Sequence, residues 1–194
     1  MSGQLSFFES RPDTPEGFKY EGNIVSVEAE ARLLENIQSL PFRDFEFHGF
    51  TGKRRVVSFG WKYDFNERLL HEAEDVPLFL LPLRGLAARF AGLDEDLLRH
   101  ALVTEYGKGA AIGWHRDKSV FDEVIGVSLL APCLFRLRRK IGEKWERVSV
   151  TAEPRSMYLL SGPSRTEWEH SIPPVDALRY SVTFRSLRTD VARA

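Results

Sequence analysis

Apolar residues recur at Val27, Ala31, Leu34 and Ile37 with charged residues between them, the spacing that lays one stripe along a helix. Glu28 and Glu30 fall in the first turn, where unpaired amides favour negative charge, and Pro41 ends the run, so a helix is predicted over residues 26–40. A second helical run is expected over residues 77–90 with Gly92 as its stop, although Pro82 and Gly85 interrupt it. Between the two, FEFHGFTGKRRVVSFGWKYDF is rich in aromatic and β-branched residues, with Gly49 and Gly52 as turn candidates. It reads as a hairpin over about residues 43–65 that carries the basic cluster Lys53, Arg54 and Arg55.

From Leu97 onward the pattern shortens. HALVTEY, AIGWH, VIGVSLL, CLFRLRR, WERVSV, SMYLLS, TEWEHSI and RYSVTFR are strand-like and separated by Gly, Pro, Asp or charged pairs. In CLFRLRR, Cys133, Phe135 and Leu137 alternate with Arg136 and Arg138, as a half-buried strand requires. Cys133 therefore reads as core. The expected fold is mainly β with flanking helices, a jelly-roll core over residues 93–190 preceded by an extension of helices and hairpin over residues 1–92, all in one domain.

Composition narrows the setting without naming a task. With 43% hydrophobic and 28% charged residues the chain has the make-up of a soluble globular protein. A single cysteine excludes an internal disulfide and zinc-finger spacing, and suits a reducing, cytoplasmic compartment. No apolar stretch approaches the ~18 residues that cross a bilayer, and MSGQLSFFESRPDTPEG reads as neither signal peptide nor anchor. A net charge of −1 advertises no polyanionic partner overall, so any nucleic-acid site must be local. A monomer is the expectation.

The chemistry begins at GWHRD. There is no G-x-S-x-G elbow and no phosphate loop, and the glycines of GKGAAIG miss the dinucleotide spacing. His115 and Asp117, two apart on a strand, face the same way, and His170 follows 53 residues later in another strand-like segment. Two neutral imidazoles and one carboxylate on one face of a metal make a non-haem Fe(II) site with open positions. His48, His71 and His100 are poorer candidates, being in the hairpin, in a polar stretch and before the first core strand. On RYSVTFR, Arg179 and Arg185 share a face with Ser181 and Thr183, and two inward guanidiniums would suit the carboxylates of 2-oxoglutarate. Trp114, Trp145 and Trp168 read as core or sheet surface, Trp61 beside the basic hairpin as a stacking candidate, and RLRRK at 136–140 as a solvated strand face and turn.

Together EYGKGAAIGWHRDK, LLSGPSRTEWEHSIPP and RYSVTFR resemble the AlkB family of Fe(II) and 2-oxoglutarate dependent dioxygenases over residues 97–187. The resemblance implies His115, Asp117 and His170 as iron ligands, Arg179 as partner of the distal 2-oxoglutarate carboxylate, Arg185 near its metal-bound end and Tyr106 as a further contact. It implies O2 as the oxidant and an N-alkylated base of DNA or RNA as substrate. KRRVVSFGWKYDF resembles the family's nucleotide-recognition lid, with Trp61 and Tyr63 as base contacts and Arg54 or Arg55 as phosphate contacts. The sequence departs from the family pattern in three places. Thr104 and Ser181 stand where asparagines are usual at the cosubstrate. Ser119 stands where the family's nucleic-acid demethylases carry an acid at the base, with Asp122 and Glu123 the nearest acids that follow. The same chemistry on a protein or small molecule, or a binding jelly roll without activity, are the rival readings.

Overall fold

The computed structural model describes residues 14–47, 50–64 and 69–188; His48 and Gly49 lie outside them. The described residues open with β1 (Phe18–Glu21) and α1 (Val27–Ile37). Ser26 caps α1, accepting from the Ala29 amide at 3.1 Å, a device worth about 1 kcal/mol. The buried stripe of α1 is Glu30, Leu33 and Ile37. Val27, read from periodicity as part of that stripe, is 62% exposed because it sits at the first helical position and turns to solvent. Glu30 is buried because it has partners: its carboxylate accepts from the Leu130 amide at 2.9 Å and pairs with Arg155 at 3.3 Å, tying the helix to the sheet. The second helix begins as a 3-10 turn at Leu78–Leu80 and continues as α2 (Leu81–Ala91), with Pro82 tolerated in its first turn and Gly92 left-handed at its end.

Where one hairpin was expected there are two. β2 (Arg43–Phe47) and β3 (Phe50–Phe59) pair along the edge of the largest sheet, while β4 (Trp61–Asp64) and β5 (Leu69–Glu72) form a separate two-stranded ribbon. The break is at Gly60, whose positive φ lets the chain turn where a Cβ would meet the Arg99 carbonyl.

Eight strands follow: β6 (His100–Tyr106), β7 (Ile112–His115), β8 (Phe121–Leu129), β9 (Cys133–Ile141), β10 (Lys144–Ala152), β11 (Ser156–Leu160), β12 (Glu169–Ile172) and β13 (Arg179–Leu187). Four of them, β6, β8, β11 and β13, join β1, β2 and β3 in a seven-stranded antiparallel sheet of order β1-β11-β8-β13-β6-β3-β2, and the other four face it in a sheet of order β10-β9-β12-β7, so the chain crosses between sheets at every step except the β9–β10 hairpin. This is the double-stranded β-helix that the strand spacing predicted. TEWEHSI is not one strand, however. The segment before it folds as α3 (Gly162–Thr166), capped by Ser161 and Ser164, and β12 starts only at Glu169.

Alternation divides the core in two. The outward side of the large sheet (Phe59, Val103, Ile125, Val127, Tyr180, Val182, Phe184) packs against Leu33, Ile37, Leu83 and Ala87 of the helices. The inward side joins Phe18, Tyr106, Val124 and Leu160 to Cys133, Phe135, Leu137 and Ile172 of the small sheet. Polar side chains occur on that inward side, and they make the site. Among the described residues no helix is long and apolar enough to cross a membrane.

Candidate metal and cosubstrate site

The register places the expected residues on one floor. β12 pairs with β7 so that His170 stands opposite His115, and their rings lie with centroids 4.2 Å apart. Asp117 follows two residues beyond His115, past the end of β7. One ligand atom from each of the three lies within 4.8 Å of the others. His115 Nδ1 is 3.0 Å from the Gly113 carbonyl, so a proton there leaves Nε2 free to ligate. Burial lowers the pKa of His170 to about 3, keeping its imidazole neutral, the form a metal needs. Its 3.5 Å approach to Asp117 is thus a contact of carboxylate and neutral ring.

Asp117 is held ionised against its surroundings. Burial, the largest single influence, would raise its pKa, but the Arg185 guanidinium, with Nε at 2.9 Å and Nη2 at 2.7 Å from Oδ1, and behind it His170, His115 and Arg165 together outweigh burial and keep the carboxyl well below the usual carboxylate range. The other oxygen, Oδ2, is buried with no hydrogen-bond partner among the described residues. A buried carboxylate oxygen without a partner is costly, and a cation facing it removes the cost. The donor set and this orphan oxygen fit Fe(II).

Arg185 is engaged further. Its Nη1 is 3.2 Å from Nδ1 of His100, which is buried against Phe121 at 4.8 Å between ring centroids. Burial, and then the Arg185 charge, hold His100 well below the ordinary histidine value, so the neutral imidazole can accept. Arg185 therefore serves Asp117 directly. His100, set aside from sequence as a ligand, belongs to the site's scaffold, and only the β6–β13 register, His100 opposite Arg185, reveals it.

Arg179 lies at the other end of the same strand face, opposite Tyr106. It is 2% exposed. Its Nη2 donates to Ser128 Oγ at 3.0 Å and its guanidinium carbon lies 4.5 Å over the Tyr106 ring. Its Nε and Nη1 have no partner among the described residues, and a buried guanidinium with two free donors fits a carboxylate taken two-pronged. Tyr106 Oη is 3.4 Å from Ser181 Oγ, and Thr104 stands opposite Ser181 on the same face. The hydroxyl residues that replace the usual asparagines thus lie beside Arg179. Tyr158, which no sequence signal marked, closes this end. Its ring stacks on Phe135 at 4.3 Å, Phe135 stacks on His170 at 5.4 Å, and burial raises the Tyr158 phenol above its ordinary value. Burial likewise raises the Cys133 thiol, which sits in the core as read from its alternation.

The substrate-side residues divide. β3 pairs with β6 so that Arg54 is opposite Tyr106 and shares the inward face, its guanidinium 3.8 Å over the Phe45 ring and 3.4 Å from the Ala111 carbonyl. Burial lowers its pKa from the ordinary guanidinium value. Arg55 alternates to the opposite face, where Glu105 takes it at 2.7 Å, so of the two arginines only Arg54 reaches the pocket. Trp61 lines a cleft of 290 Å³ with Glu72, Asp75, Arg84 and Arg99, none of them a site residue. Tyr63 has its backbone in β4, opposite Leu70; its side chain lies outside the described structure. Ser119 is exposed in the loop after Asp117. That loop is pinned by Arg165 of α3, which donates to the Lys118 and Phe121 carbonyls at 2.6 and 2.9 Å. Glu123 cannot stand in for an acid at Ser119, because it is bonded to Ser186 Oγ on the far side of β13.

A model of the 2OG-Fe(II) oxygenase superfamily matches residues 26–185. The chain belongs to that superfamily. Within it the oxygenase is AlkB-like. It is 30% identical over 210 residues to an Arabidopsis thaliana protein named "Alkylated DNA repair protein ALKBH8 homolog", covering 95% of this chain and 59% of that one. It is 26% identical over 185 residues to the Mus musculus "tRNA (carboxymethyluridine(34)-5-O)-methyltransferase ALKBH8", covering 88% of this chain and 26% of the mouse protein. The chain thus spans little more than half of one relative and about a quarter of the other. Two solved structures share the fold: OsALKBH1, with a TM-score of 0.67 at 16% identity, covering 88% of this chain and 96% of that one, and a Trichoplax adhaerens prolyl hydroxylase bound to a hypoxia inducible factor peptide, with a TM-score of 0.64 at 14% identity, covering 91% and 86%.

Proposed function

We propose that this dioxygenase oxidises an alkyl substituent on a base of DNA or RNA, with N-alkylated bases as its substrates and demethylation as the outcome. His115, Asp117 and His170 hold Fe(II). Arg179, with Tyr106, Ser181 and Thr104 beside it, grips the distal carboxylate of 2-oxoglutarate, and Arg185 keeps Asp117 ionised and oriented. Bound iron supplies the activation of O2 against 2-oxoglutarate, which leaves as succinate and carbon dioxide while one oxygen atom enters a substrate C–H bond. On an N-methyl group the product is a hemiaminal, which collapses to formaldehyde and the restored base. The observation that carries the nucleic-acid reading is Arg54, a half-buried cation on the strand that extends the cosubstrate sheet, placed to take an anion of the substrate while its base enters between the sheets. A base in a duplex would first be flipped out of its stack.

Ser119 favours a second reading. A ring nitrogen that carried no proton, as in adenine N1 or cytosine N3, becomes cationic when it gains a methyl group and calls for an acid, and position 119 offers none. The mouse relative's name speaks of carboxymethyluridine 34 of tRNA. A carbon-linked substituent of that kind would be hydroxylated to a stable alcohol, with nothing released. Incubation with Fe(II), ascorbate and 2-oxoglutarate across modified oligonucleotides, read by mass spectrometry, separates the two. Loss of a methyl group with formaldehyde supports demethylation, and a gain of one oxygen on a C5-substituted uridine supports the second. Succinate production with every oligonucleotide unchanged would overturn both.

A further inference from the structure

The outer face of the four-stranded sheet takes no part in the chemistry above. Because His115, Leu137 and His170 occupy the inner face, alternation sends Trp114 of β7, Glu169 of β12, Arg136, Arg138 and Lys140 of β9, and Trp145 and Arg147 of β10 outward. Arg147 stands directly opposite Arg138, and Trp145 opposite Lys140. The aromatic and cationic groups interleave: Arg136 lies 5.0 Å over Trp114, and Arg138 lies 4.4 Å over Trp114 and 4.2 Å over Trp145. Glu169 neutralises Arg138 at 2.7 Å. Among the described residues Arg136 spends only its Nε on a hydrogen bond, to Ser171 Oγ at 3.1 Å. Among the described residues Arg136, Lys140 and Arg147 form no ion pair. Like charges opposed across a strand pair cost stability, and a chain of net charge −1 has gathered Arg136, Lys140 and Arg147 here with no acid paired to them among the described residues to offset that cost. The indoles hold two of the guanidiniums in place, and Trp145 keeps 37% of its surface open.

We propose that this face docks a single-stranded nucleic acid, its phosphates on Arg136, Lys140 and Arg147 and one base on Trp145. Tracking cations interleaved with an aromatic platform are what such a strand requires. β7 is the sheet's edge strand and carries His115 on one side and Trp114 on the other, so a strand whose target base enters the pocket reaches the outer face by passing over that edge. The inference rests on the nucleic-acid reading of the pocket and adds to it a second, sequence-independent grip on the flanking nucleotides.

Anisotropy of fluorescein-labelled unmodified 15-mers, one DNA and one RNA, titrated with the full chain at several salt concentrations, tests it. Wild type is expected to bind, and the double variant R136E/R147E to bind ~10-fold or more weakly. Loss of two phosphate contacts should also flatten the log–log salt dependence by ~1.4. W145A should weaken binding ~5-fold or more, while Arg32→Glu on the exposed side of α1 changes neither quantity. Retained iron-dependent 2-oxoglutarate turnover shows that the surface variants are folded. Unchanged affinity and slope in R136E/R147E would overturn the proposal, as would equal losses on polyglutamate with W145A silent, which would assign the face to an acidic protein. A modified trinucleotide, too short to span pocket and face, reads the pocket alone. Its oxidation without 15-mer binding would remove the face and leave the pocket's function. Binding at the face with no modified oligonucleotide oxidised would do the reverse.

Discussion

Two side chains make sharp demands at the scale of single residues. Arg179 is buried with two donors free, and a lysine there keeps the charge but loses the fork. Arg179→Lys should raise the KM for 2-oxoglutarate ~10- to 100-fold, from the ~1.5–3 kcal/mol of a hydrogen bond to a charged group, with a smaller change in kcat. An unchanged KM would remove Arg179 from the cosubstrate site. His170 sets a pH dependence. Its pKa is about 3 in the folded protein against an ordinary 6.5, so below pH 6.5 the unfolded chain takes up a proton that the folded chain refuses. Stability is complete above that value and falls as the pH drops toward 3, by ~1.4 kcal/mol per unit. Buried His100 acts in the same direction. From pH 7.5 to 5, metal-free protein should lose ~2 kcal/mol through His170 alone in urea unfolding. Equal stability at the two pH values would show that these rings are not buried neutral. Both arginines were legible because R-x-x-x-x-x-R is a strand-period spacing, and the triad because H-x-D and a later histidine stand in order with them, although Asp117 lies just past the end of β7. His100 and Tyr158 were not, because only strand pairing brings them to the site.

Among the elements, long periodic strands were legible almost to the residue: HALVTEY is β6, and CLFRLRR lies inside β9. Among short elements β7 and β11 were legible within AIGWH and SMYLLS, but β1 and α3 were not, and β12 was read three residues too long as TEWEHSI. β1 and β12 have four residues each and α3 five, too few to show a period, and each is fixed by its neighbours. β1 pairs with β11, while α3 stands on the Ser161–Ser164 capping box. The lid segment misled for a related reason. Its composition marks strands, but the positive φ at Gly60 that splits it into two hairpins is a single-residue event. Packing between strands gives a further test at Gly126 of β8. A Cβ there would run into the Tyr158 ring of β11, so glycine is what lets that ring lie flat along the pocket. Gly126→Ala should cost ~1–3 kcal/mol in thermal unfolding, and adding Tyr158→Ala should recover part of it. A neutral single variant would mean the ring is free to move.

Over the whole molecule, the jelly roll explains how His115 and His170, 55 positions apart, meet: strands shared between two facing sheets set β7 beside β12, while Arg185 of β13 in the other sheet reaches Asp117. The jelly roll itself was readable from strand count and spacing. The substrate was less so, because the pocket rim comes from a loop, an edge strand and a hairpin whose mutual placement no local pattern encodes. Arg54 and Arg55 are adjacent in the chain yet face opposite sides of one sheet. The metal site bears all of the proposed chemistry, so the most direct measurement is Fe(II)-dependent conversion of 2-oxoglutarate to succinate by wild type and by Asp117→Ala. Turnover that requires added iron, abolished with Fe(II) binding in Asp117→Ala while the variant stays folded, is the predicted result. Equal iron binding and equal turnover by the two proteins would contradict the assignment of the site.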